Sequence, residues 1–324
     1  MPTVAPLDLD GHCLAAGFLG EVPYFCLADG SIHRLDHGHK HTAPHDGLLC
    51  VEFDTANSRL ISGGEDGKVV ATASDGTSDV VAEAGRKWVT SVAAGPQKAV
   101  AWAVGRSAFC LLPDGKVKEF PHPRSVEGLA FAPKGMRLAV ARYNGVTMHF
   151  AATEGKPAEL EWAGAHTGVT FSPDGNFVVT TMQENALHGW KLADGKHMRM
   201  AGYPAKVKSL SWSVKGRWLA SSGAPAAIVW PFTGKDGPMG KAPLEIGTRG
   251  NMMVTAVACH PTEEVVAIGY SDGMVLAGRF TDQKEVLLRR PGEGAITSLM
   301  WDREGRRVVF GSDAGDCGVI DVAG

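Results

Sequence analysis

From Val169 the chain reads VTFSPDGNFVVTTMQENALHGWKLADGK. Apolar and polar positions alternate in short runs that Gly, Asp and Asn punctuate. The pattern predicts three strands of an antiparallel meander, with an SPDG turn after the first strand and a polar turn after the second. The same grammar returns as LAFAPKGMRLAVARYNGVTMHF from Leu129 and LSWSVKGRWLASSGAPAAIVW from Leu210, and again from Val257 and Leu299. Weaker copies begin at Val51 and Val92, and a degenerate first copy at Ala15.

The turn residue six positions before the end of each third strand fixes the register: Asp29, Asp66, Gly105, Asn144, Glu184, Ala224, Asp272 and Asp313. Successive marks lie 37 to 41 residues apart except for one interval of 48. From Asp313 off the C-terminus and on to Asp29 is 40, again one repeat. A sheet this small cannot bury both faces alone, so units must stack, and stacking around a ring leaves no exposed end. The expected fold is therefore all-β, one domain over residues 1–324. It has eight units, each with strands a, b and c in order and a fourth, d, leading to the next. The last unit stops after its third strand, so the N-terminal segment 1–10 (with TVAPLDLD) is expected to supply strand d there and close the ring. The long interval holds segment 231–250, read as a loop inserted between units six and seven.

Phe171–Gly175 (FSPDG), Trp190 and Trp230 near the third-strand ends, Leu35-Asp36 in unit one and the Gly11-His12 dipeptide together resemble the WD40-repeat family of β-propellers across essentially the whole chain. His45, His122 and His166 hold positions similar to that of His12. Trp190 is followed by Lys and Trp230 by Pro, so the family's His, Ser/Thr, Asp and Trp tetrad is expected to be incomplete in every blade. The resemblance implies a β-propeller; seven blades is the family's commonest number and the alternative, but the eight marks and the wrap-around spacing favour eight. The resemblance also implies structural roles for His12, His45, His122 and His166, with Asp66 the expected partner of His45.

Composition narrows the function. A net charge of −3 gives no global pull toward nucleic acid or an anionic membrane. No apolar run approaches bilayer length, and the N-terminus lacks a basic region followed by an apolar stretch. The six cysteines are scattered without a CxxC pair, which suits reduced, buried thiols in a cytoplasmic protein. Neither a Ser/His/Asp order, nor a phosphate-binding Gly loop, nor HExxH is present. Carboxylates near the b–c turns (Glu65, Glu184, Asp272, Asp313) read as turn-bonding groups before they read as catalysts. The chain is expected not to be an enzyme.

Two candidate sites remain. In the family's geometry the d–a and b–c loops share one face, called the top. The loops and strand ends there carry Arg86, Lys87, Trp88, Arg124, Arg142, Tyr143, Gln183, Tyr203, Lys206, Arg249 and Met252. Arg, Trp, Tyr and Met are enriched at interface cores, and a basic rim attracts acidic segments. The expected function is a non-catalytic scaffold, monomeric by itself, that docks a partner protein or acidic peptide on this face. The second site lies in HRLDHGHKHTAPH at residues 33–45. His37, His39 and His41 form either a polar, exposed edge or a shallow zinc site needing Asp36 or His33 as fourth ligand. No other cofactor is expected. The metal-linked alternative is an accessory role in metal handling.

Overall fold

The computed structural model describes residues 2–322. Among them the only helical pieces are 3-10 turns at Thr55–Asn57 and Pro96–Lys98, and no helix is long and apolar enough to cross a membrane. All other regular structure is antiparallel β. The contacts divide the chain into two compact units, Met1–Thr42 with Tyr203–Gly324, and Ala43–Gly202.

The first unit holds four four-stranded sheets. One is Cys13–Leu19, Val22–Leu27, Ile32–Leu35 and His39–Thr42; the next is Leu210–Trp212, Trp218–Ser221, Ala227–Pro231 and Leu244–Ile246. A third runs Val254–Cys259, Val265–Tyr270, Val275–Arg279 and Glu285–Arg289. The last combines both ends of the chain: Ile296–Trp301, Arg307–Ser312 and Asp316–Asp321 are completed by Thr3–Asp8, paired from Thr3↔Asp321 to Asp8↔Asp316. The N-terminal strand therefore joins the last sheet as expected.

Burial follows position within each sheet. Second strands such as Val22–Leu27 and Val265–Tyr270 are buried almost end to end, because side chains on both faces meet neighbours. Fourth strands such as Thr3–Asp8 and His39–Thr42 are mostly exposed. Serine hydroxyls tie neighbouring first strands together. Ser209 and Ser211 Oγ accept from the Val257 and Cys259 N–H groups at 3.0 and 2.8 Å, and Ser298 Oγ accepts from Ala16 N–H at 2.8 Å.

The segment 231–250 is not simply a loop. Leu244–Ile246 within it is the fourth strand of its sheet, with Ala227 opposite Ile246, and Phe232 is buried. The extra length is confined to residues 232–243. There the Lys241 ammonium donates to the Gly237 carbonyl at 2.9 Å and to the Thr233 hydroxyl at 3.3 Å.

The second unit holds Leu48–Asp54, Arg59–Gly64, Lys68–Ala73 and Ser78–Glu83 as one sheet, and Ser91–Ala94, Val100–Val104, Ser107–Leu111 and Val117–Pro121 as another. Repeat units four and five form a single six-stranded sheet, Val126–Phe131, Arg137–Phe150, Ala158–Phe171, Phe177–Met182, Ala186–Lys191 and His197–Met200. Counted as hydrogen-bonded sheets, the described residues form seven, the alternative number, and not the eight separate ones that the spacing predicts. The reason is local. The strand Arg137–Phe150 carries on past Tyr143 to Gly145, where the spacing places a break between b and c, although Asn144 and Gly145 turn through φ of 68° and 130° there. Ala158–Phe171 likewise runs from strand d of unit four into strand a of unit five, and Tyr143 pairs with Ala165 across the join.

Candidate partner-docking face

The histidine at the entrance of a first strand is held by groups on the second strand and the turn that follows it. In the unit Ala43–Gly202, His45 Nδ1 is 3.1 Å from Asp66 Oδ1, and Nε2 is 2.9 Å from Ser62 Oγ. With its proton on Nδ1 the imidazole donates to Asp66 and accepts from the Ser62 hydroxyl. Burial works against the Asp66 carboxylate, but the Lys68 N–H and His45 outweigh it and hold the group below the ordinary range. An acid, an imidazole and a hydroxyl in this order also describe a nucleophilic triad. Here Ser62 is fully buried and His45 nearly so, which leaves no approach for a substrate.

The other entrances vary. His166 donates through Nε2 to the Trp162 carbonyl at 3.0 Å and meets Thr180 Oγ1 at 2.7 Å, fully buried. The His122 and His149 Nε2 atoms lie 3.3 Å apart. Burial, then the neighbouring His149 and Arg142, bring the His122 pKa down to about 4. His12 does not fill the slot, because its side chain is exposed. In the first unit Tyr203 occupies the slot instead. Trp230 Nε1–H donates to the Tyr203 hydroxyl at 2.6 Å, Tyr203 meets Ser221 Oγ at 2.6 Å, and Ser221 donates to the Ile228 carbonyl at 2.9 Å. Tyr203 is only 7% exposed, and burial pushes its hydroxyl up to about 12. It belongs to the interior and not to a docking surface. The signal was present in the sequence: Tyr203 stands 18 residues before Ser221, as His45 stands 17 before Ser62.

The histidine rim differs from its expected grouping. His37 lies in the turn after the third strand with φ 47°, its side chain 96% exposed and 3.8 Å from Asp36. His33 takes its place in the cluster. Its ring stacks on His39 and His41 at 5.1 and 5.4 Å, its Nδ1 is 2.8 Å from His39 Nε2, and its Nε2 is 2.8 Å from Ser31 Oγ. Both His33 nitrogens are thus engaged. Among the described residues no group of three or more His, Cys, Asp or Glu side chains is arranged to hold a metal ion. The grouping of His37, His39 and His41 as a metal site is set aside: strand pairing aims His39 and His41 at His33, and the turn carries His37 away.

In the unit Ala43–Gly202 the first strands Leu48–Asp54, Ser91–Ala94, Val126–Phe131 and the end of Ala158–Phe171 pack in sequence. The loops that feed them bond to the b–c turns beside them. Ala84 N–H reaches Gly67 O at 2.8 Å, Val126 N–H reaches Gly105 O at 2.9 Å, and Gly164 N–H reaches Asn144 Oδ1 at 3.3 Å. Glu184 accepts from Ala165 N–H at 3.2 Å. These bonds gather the loops and turns of this unit on one face. A concavity of about 550 Å³ opens on it, lined by Arg124, Ser125, Glu127, Tyr143, Ala165, Thr167 and Gln183. Three of the expected docking residues therefore meet in one depression, with Tyr143 49% exposed. Arg86, Lys87 and Trp88 stand exposed on the loop before Ser91, Trp88 at 57%. Arg142 is committed internally: it donates to Thr147 Oγ1 at 3.0 Å and pairs with Glu159.

The remaining expected docking residues lie in the first unit. Lys206 and Met252 are exposed there. Arg249 is half-buried, 3.6 Å from Asp272, with its guanidinium 5.5 Å over the Tyr270 ring. It ties loop to turn and is not the free cation expected from its place in the sequence.

Known proteins bear on the fold. The model of the WD domain, G-beta repeat, matches residues 30–71. Over 211 residues the chain is 25% identical to WD repeat-containing protein 55 of Rattus norvegicus, and 25% identical to its Homo sapiens counterpart; each match covers 63% of this chain and 52% of the relative. A 190-residue stretch is 23% identical to telomerase protein component 1 of Rattus norvegicus, covering 56% of this chain and 7% of that protein. The chain thus spans about half the length of the WD repeat relatives, and much less of the telomerase component. Among solved structures, the computationally designed Ika8 protein is similar with a TM-score of 0.77 at 20% identity, covering 97% of both chains. The C-terminal WD40 domain of Sif2 gives 0.77 at 12% identity, covering 99% of both. The fold is that of an all-β propeller. With the family match over residues 30–71 and the WD repeat relatives, the chain is similar to the WD40-repeat β-propellers.

Proposed function

We propose that the protein is a non-catalytic interaction scaffold that docks a segment of a partner protein on the face formed by the loops and b–c turns of the unit Ala43–Gly202. The WD40 family is in general one of protein-interaction scaffolds, which supports the coarse role. The observation that carries the specific reading is the concavity where Arg124, Tyr143 and Gln183 converge. The Arg124, Arg86 and Lys87 side chains make no ion pair among the described residues, so their charge is available to a partner's carboxylates. Exposed Trp88 and Tyr143 offer the rigid aromatic area on which interface energy concentrates. Three of the carboxylates near the b–c turns, Glu184, Asp272 and Asp313, serve backbone groups. Asp313 accepts from Ala295 N–H at 2.8 Å, and Asp272 from Met274 N–H at 3.1 Å.

Quantitative affinity capture with the full chain and with an Arg86→Glu/Arg124→Glu variant tests this. The variant should keep its circular dichroism and melting temperature while its principal partner is lost. A partner list identical to that of the unmodified protein would refute the assigned face.

A further inference from the structure

We infer that the segment docked in this concavity carries both signs of charge, a carboxylate set against Arg124 and a cationic side chain set against Glu127. The inference rests on the docking reading above and names the chemical class of the occupant. Its basis is a repeated backbone feature that changes chemistry at one place.

Six first strands carry an extra residue where they enter their sheet, a β-bulge that leaves this residue outside the ladder and re-aims its side chain. The bulged residues are Leu14, Leu49, Glu127, Thr167, Thr255 and Thr297. The threonines have a structural task. Thr167, Thr255 and Thr297 each donate to a carbonyl of the neighbouring second strand, at 3.4, 3.2 and 3.0 Å on Thr181, Gly269 and Gly311. The leucines are apolar. Glu127 alone is charged, and a carboxylate cannot donate the bond that the threonines make.

The Glu127 side chain is exposed and has no hydrogen bond or ion pair among the described residues. Arg124 lines the same concavity, three positions away, and it too is unpaired. Elsewhere in this unit an Arg and a Glu do neutralise each other, Arg142 with Glu159. Left unpaired, Arg124 and Glu127 offer both signs of charge in one concavity, and a purely acidic segment would meet repulsion at Glu127. An extended peptide with an acidic and a basic residue two positions apart, about 7 Å on one face, satisfies both. The residue beside that pair would then lie on the Tyr143 ring.

Fluorescence anisotropy with an array of labelled eight-residue peptides tests the inference. The array holds acidic–basic pairs two positions apart, all-acidic, all-basic and uncharged versions on common backgrounds. Unmodified protein should prefer mixed-charge peptides over all-acidic ones by about tenfold. In Glu127→Thr, which restores the hydroxyl found at Thr167, Thr255 and Thr297, that preference should disappear as all-acidic peptides gain. An Arg124→Glu/Glu127→Arg exchange should favour the same peptides with the order of charges reversed. All-acidic peptides binding the unmodified protein as tightly as mixed ones, with Glu127→Thr without effect, would overturn the mixed-charge inference alone. Binding by no peptide, or binding indifferent to Arg124, would overturn the docking reading and this inference with it.

Discussion

Tyr203 shows how one side chain can stand in for another when the surrounding geometry is kept. Its hydroxyl spans the gap that an imidazole fills at His45, accepting from Trp230 and meeting Ser221. Removing only the oxygen in Tyr203→Phe should destabilise the protein by about 1–3 kcal/mol, because Trp230 Nε1–H is then buried without a partner. Urea unfolding checks it: the midpoint should fall with the slope unchanged, and Tyr203→His should lose less. Arg249 teaches the converse. Its place in the sequence matches that of Arg86, yet it packs on Tyr270 and Asp272 while Arg86 stands in solvent. Sequence position gives the loop, and whether a carboxylate and a ring lie within reach depends on residues 21 to 23 positions further on.

At the scale of elements, the joining of the chain's two ends is the most specific structural expectation the sequence supported. Thr3–Asp8 was legible because the last unit lacks a fourth strand and the first residues alternate. The turn that receives this strand makes the joining testable. Gly315 has φ 85°, its N–H donates to Ser312 O, its carbonyl accepts from Leu9 N–H at 3.0 Å, and a Cβ built on it would lie 1.8 Å from the Leu9 carbonyl oxygen. Gly315→Ala should therefore cost more than the ~1 kcal/mol of a left-handed alanine in the full chain. In a chain lacking residues 1–10, already destabilised, it should cost only about that amount. Equal costs in the two backgrounds, measured by a thermodynamic cycle in urea, would show that the strand does not dock there. The merging of units four and five was not legible in the same way. Tyr143-Asn144-Gly145 reads as a turn, and only the pairing of Tyr143 with Ala165 reveals that the ladder continues across the left-handed Asn144 and Gly145.

At the scale of the whole molecule, histidine burial sets the response to acid. His122 and His188 are held near pH 4 and 3, chiefly by burial, and His33, His149 and His166 are also lowered. An unfolded histidine titrates near 6.5. On acidification the unfolded chain thus takes up protons that the folded chain refuses, so stability is fully present above about pH 6.5 and declines as pH falls toward 4 and 3. The urea midpoint should drop between pH 7.5 and 5, before most carboxylates titrate. His188 is fully buried with both ring nitrogens unpartnered and stacks 4.1 Å from Trp162. His188→Phe should keep the stack and flatten the pH dependence. A midpoint constant over that range, or the same slope in the variant, would contradict this account.

The sequence by itself determined the strand class, the repeat register and the N-terminal strand's partner. All of these depend on periodicity and turn chemistry, which are local and recur along the chain. Tertiary structure alone decided which loop cations are free, which histidines cluster, and where a bulge leaves Glu127 unpaired beside Arg124. Those outcomes depend on the approach of side chains from strands that lie far apart in sequence or pair across a bulge, and a difference of a few ångströms separates a buried tie from an open site.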